Sequence, residues 1–107
     1  MGLGDKEGKA MSNRADLEKS WATTGRHLRA ARELLRDESP PGADGATVRG
    51  FEECLRLNEM ELALDELEDL GLTSAPPAQF WRHLMYAANN MALVDRAAEY
   101  RRRMETA

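Results

Sequence analysis

The residues that could do chemistry are two histidines, one cysteine and an excess of carboxylates. Their spacing decides what each can do. His27 and His83 are far apart in the chain, and neither falls in a metal-ligand spacing such as HExxH. Cys54 stands alone, so an intramolecular disulfide is excluded, and two histidines with one thiol cannot make a usual structural zinc site without carboxylates. No Ser, His and Asp arrangement can be assembled from spacing, and no Gly-rich phosphate loop occurs. These absences lead to an expectation of no catalytic residue, no metal site, no cofactor and no enzymatic activity.

The carboxylates are the exception. Within Phe51 to Leu70, FEECLRLNEMELALDELEDL, the residues Glu52, Glu53, Glu59, Glu61, Asp65, Glu66, Glu68 and Asp69 are opposed only by Arg56. Like charges at four-residue spacing destabilise a helix by a few tenths of a kcal/mol each, and a sequence selected for stability alone would interleave lysines. One-sided charge of this kind suits a basic partner, although an acidic solvated face is the common alternative. Glu61, Asp65 and Glu68 share one side of the helix away from its apolar stripe, so reversing all three to Lys is expected to abolish partner binding while leaving the helical content intact. A pair of hydrolytic carboxylates is a third possibility, but no pocket in the sequence would shift their pKa values. Trp81 follows Phe80 directly, and adjacent helical residues do not share a face, which places one ring at an edge. With Tyr86 it forms a candidate partner anchor, or a contact between two copies of the chain. Arg101, Arg102 and Arg103 sit among Glu99 and Glu105 and suit a helix C-terminus better than a nucleic-acid patch.

Positioning these residues is a matter of helices. The chain has 107 residues, the length of one domain. A formal charge of −4 and a pI near 5.2 argue against nucleic acid as a partner. Ile is absent, and there are only two each of Phe, Trp and Tyr, so strand formers are scarce. No apolar run reaches the length of a membrane span, MGLGDKEGKA lacks the apolar core of a signal peptide, and the lone cysteine fits a reduced, cytoplasmic protein.

Residues 1–11 have little to bury and are expected to be a disordered extension, followed by one helical domain over 12–107. Leu17, Trp21, Thr24, Leu28, Ala31 and Leu35 recur at spacings of three and four and predict a first helix. It should start at Ser12 or Asn13 and stop near Asp37, before Ser39-Pro40-Pro41-Gly42. Asp44 can cap a short second helix with Val48, Phe51 and Leu55 on its stripe and Cys54 beside it. After a turn at Asn58, a third helix buries Met60, Ala63, Leu64, Leu67 and Leu70, with Gly71 as its C-terminal cap. Pro76-Pro77 opens a fourth with Phe80, Leu84, Ala87, Ala88 and Met91, which ends or loosens at Asn89-Asn90. A last helix from about Leu93 to Met104 buries Val94, Ala97, Ala98 and Met104. The two helix pairs invite comparison with tetratricopeptide repeats, but that repeat's Trp, Gly, Tyr and Pro pattern is missing. The fold expected is therefore all-α, a compact antiparallel bundle of four to five short helices.

FEECLRLNEMELALDELEDLG as a unit resembles the small helical immunity proteins of the MafI type, which bacteria use to neutralise polymorphic toxins. The matching residues are Phe51, Leu55, Asn58, Glu59, Glu61, Leu62, Ala63, Leu64, Leu67 and Leu70, and the segment from Pro76 to Met91 continues in the same style. The resemblance covers about the last two-thirds of the chain. It implies a non-catalytic inhibitor of a cognate protein toxin. Many such toxins are nucleases with basic substrate channels, which an acidic helical surface would suit. The alternative is a helical regulatory or scaffolding protein acting as a homodimer.

Overall fold

In the computed structural model, side chains are described for residues 15–107, and the extension expected over residues 1–11 lies outside them. Five helices follow one another: α1 (Gly2–Glu33), α2 (Val48–Arg56), α3 (Met60–Ser74), α4 (Ala78–Asn90) and α5 (Val94–Thr106). Among the described residues there is no strand, as expected of an all-α bundle. Helix α4 lies between α1 and α5, while α3 packs on α1, α2 and the edge of α4.

The core lies where the apolar stripes meet. Leu28, Phe51, Ala63, Leu64, Leu67, Leu70, Phe80, Leu84, Ala87 and Ala88 are fully buried, with Leu55 close to it. Leu17 does not join them. It is 48% exposed, and Trp21 is only partly buried. The reason is the length of the neighbouring helix. Helix α4 ends at Asn90, whose side-chain amide donates to the Ser20 carbonyl (2.9 Å) and the Thr24 hydroxyl (2.7 Å), so a residue one turn before Ser20 has no facing helix. Met91, just past that end, is likewise only partly buried.

Two capping expectations also change. The cap of α2 is Thr47, whose hydroxyl accepts from the Gly50 N–H at 2.9 Å. Asp44 instead belongs to the preceding loop, and its backbone N–H donates to the Asp69 carboxylate of α3. Gly45 turns that loop at φ +90, a conformation that favours glycine. At the other end of α3, Gly71 does not terminate the helix, which runs on to Ser74 and ends at Ala75 in the left-handed region. Gly71 is needed for close approach, because a Cβ there would collide with the Phe80 ring and touch Trp81. Gly71→Ala should therefore destabilise the protein by about 1–3 kcal/mol through overpacking, despite alanine's higher helix propensity. Urea unfolding checks this, and a stabilised variant would show that Phe80 has room to move.

Helix α5 uses a different face from the one its sequence suggests. Val94 is 71% exposed and Ala98 is also exposed, whereas Ala97 and the fully enclosed Tyr100 are buried. The rotation brings Tyr100 and Arg96 against α3.

Candidate functional site

The outer side of α3 carries Glu61, Leu62, Asp65, Glu66, Glu68, Asp69 and Leu72, which at 3.6 residues per turn fall within roughly 160° of its circumference. Beside it, a hollow of about 340 Å³ is lined by Asp65, Glu66, Glu68, Asp69 and Leu72 together with Asp44, Gly45 and Ala46 of the loop before α2. The eight carboxylates that sequence groups together have different surroundings here.

Four of them are engaged in holding the fold. Asp69 is 8% exposed and accepts from the backbone N–H groups of Asp44 (3.1 Å) and Ala46 (3.0 Å), pinning the loop to α3. Glu66 accepts from the Thr47 N–H at 3.2 Å, next to the α2 cap. Glu68 receives a hydrogen bond from the Tyr100 hydroxyl (2.5 Å) and lies 3.3 Å from Arg96 Nη2. Arg96 completes the link from α5 by meeting Asp65 at 2.6 Å and donating to the Tyr100 oxygen at 2.7 Å. Burial is the first cause that pushes the Tyr100 hydroxyl far above the ordinary phenol range, followed by its bond to Glu68, so it stays a donor.

The other four face water. Glu53 pairs within α2 with Arg56, and Glu52 stands 4.0 Å from Arg32 of α1. Glu59 and Glu61 are exposed, and their side chains make no ion pair or hydrogen bond among the described residues. The expectation that only Arg56 opposes the acidic stretch is thus corrected, since Arg96 and Arg32 arrive from other helices. What remains uncompensated is the start of α3. Next to it lie apolar residues the charge pattern does not reveal: Leu57 and Leu62 are each about half exposed, at 49 and 52%, as is Leu72 toward the far end of the helix. Leu62 falls off the buried stripe of α3, which is the one sequence signal that could have marked it.

The aromatic anchor separates. Trp81 is 5% exposed, edge-on to Phe80 (5.0 Å between centroids), stacked near Tyr100 (6.1 Å) and covered by the Arg103 guanidinium. Phe80 and Trp81 both find cover because α4 is flanked on more than one side, so Trp81 is not at an edge. Tyr86 is 42% exposed and belongs to a separate group with His27 and His83 at the α1 and α4 seam.

No protein-family model, curated protein or solved structure matches this chain. Its chemistry is therefore judged from its own groups. Burial raises the Cys54 thiol above its usual value, and nearby Glu66 and Glu59 add to this, so the environment opposes the thiolate a nucleophile requires. Among the described residues no three His, Cys, Asp or Glu side chains converge to hold a metal ion, and no helix is long and apolar enough to cross a membrane.

Proposed function

We propose that this chain is a non-catalytic protein-binding module of the immunity kind, neutralising a basic protein toxin through the exposed start of α3 and the adjoining turn. The observation that carries it is the combination of Glu59 and Glu61, charged and unpaired, with half-exposed Leu57 and Leu62. Folding gains little from either pair: the carboxylates add only about 0.3–1 kcal/mol each through the dipole of α3, and each leucine leaves about half its surface in water. Apolar side chains rimmed by like charge are what a cationic partner can cover, with charge setting the encounter rate and the leucines the buried contact. The resemblance of residues 51–71 to MafI-type immunity proteins points the same way, and nothing in the surroundings of Cys54 favours catalysis.

The test is binding to a basic toxin domain, to be sought as the variable C-terminal domain of any large secreted protein encoded beside this chain's gene. Glu59→Lys with Glu61→Lys should slow association about tenfold or more at low salt, and the difference should shrink as salt is added. Both positions are exposed, so thermal unfolding should register only the lost dipole attraction at the start of α3, about 1–2 kcal/mol, with the fold retained. Undiminished binding by the double reversal would remove this surface from the mechanism.

A further inference from the structure

The acidic surface leaves the seam between α1 and α4 unexplained. There, His27 of α1 and His83 of α4 lie with ring centroids 6.2 Å apart, and Tyr86 is 5.3 Å from His27 and 6.4 Å from His83. Nδ1 of His83 is buried without a hydrogen-bond partner, and His27 borders an open hollow lined also by Tyr86, Asn89 and Asn90. The seam therefore holds two imidazoles that water and protons can reach through His27.

The groups acting on His27 are His83 and Tyr86 from α4 and Arg26 from its own helix, none of which is a carboxylate. Arg82 beside His83 and Arg29 of α1 add positive charge to the same two helices, while the contact α3 makes at Gly25, through Met60, is apolar. A proton added to His27 is thus opposed by Arg26, and no carboxylate is among the groups that act on it. We propose that this seam is a proton-gated latch, in which protonation of His27 against the buried His83 ring in mildly acidic surroundings loosens α1 from α4.

The sign follows from linkage. Burial first, then His83 and Arg26, hold the docked His27 below the ordinary value of 6.5. The released state binds more protons, so docking is fully favoured above about pH 6.5 and weakens as pH falls from there toward the docked value. Release uncovers Leu28 and Ala31, which are wholly buried in the docked state.

Hydrogen exchange on the full chain at pH 7.5 and 5.5, corrected for the intrinsic rate, tests this. Amides of residues 20–33 should lose protection relative to those of α3, by up to about tenfold per proton and pH unit. The His27→Gln, His83→Gln double variant should not show that selective loss. Equal loss in α1 and α3, or the same selective loss in the double variant, would overturn the latch. Should the double variant fail to fold, proton NMR on the native protein decides: a His27 titration midpoint at or above 6.5 also overturns it.

Discussion

Phe80→Ala should lower the unfolding free energy by about 3–5 kcal/mol. The ring is fully buried and meets the Trp81 ring edge-on at a centroid distance of 5.0 Å. It also packs against the bare backbone of Gly71, which has no side chain to move into the vacated space. The cavity should therefore stay open, and the cost should fall at the upper end of the range for large-to-small changes. A domain of this size is held by roughly 5–15 kcal/mol, so the loss is a large fraction of the whole. At about 4–8 °C per kcal/mol, the melting temperature should drop by tens of degrees. Circular dichroism melts provide the check. A cost under about 1 kcal/mol would mean that the α3 and α4 contact does not organise the core. Leu17→Ala is the internal control, since its half-exposed side chain faces no other helix and its loss should be nearly neutral.

The same residues show where sequence stops being informative. Helices α1 to α4 were legible because their stripes and the breakers Pro40-Pro41 and Pro76-Pro77 are local signals, and Phe51, Leu64, Leu67 and Leu84 are buried as the periodicity requires. The misplacements each depend on something distant in the chain. Leu17 is exposed because a different helix ends too soon. Gly71 reads as a cap locally, but Phe80 and Trp81 need its missing Cβ. Asp44 reads as a cap until Asp69, 25 residues on, takes up its loop. In α5, Ala97 fits either of two faces, and the choice is made by Tyr100, whose hydroxyl can be buried because Glu68 accepts from it. Nothing in the run 94–106 announces that partner.

The acidic stretch had the same difficulty, and its resolution changes how the surface must be probed. In sequence Glu61 and Glu68 are interchangeable, two carboxylates off the apolar stripe of one helix. In the fold they are not. Glu61→Lys should cost only about 1 kcal/mol, because the side chain is exposed, makes no ion pair or hydrogen bond among the described residues, and is favoured only by the dipole at the first turn of α3. Glu68→Lys should cost roughly 2–3 kcal/mol, since it deprives the buried Tyr100 hydroxyl of its acceptor and sets a cation beside Arg96. That figure is kept below the range for fully buried pairs because the Glu68 side chain is 36% exposed and partly screened. Reversing Glu61, Asp65 and Glu68 together is therefore not a test of the surface alone, since Asp65 and Glu68 also hold Arg96 and Tyr100 of α5. Any binding lost in such a triple variant would mix loosened α5 packing with lost attraction. Urea unfolding of the two single variants separates these causes, and equal stabilities would show that the link from Tyr100 and Arg96 to α3 carries no weight. If they differ as expected, only the unpaired carboxylates Glu59 and Glu61 report cleanly on a partner, because they alone can be reversed without disturbing how α3 is held.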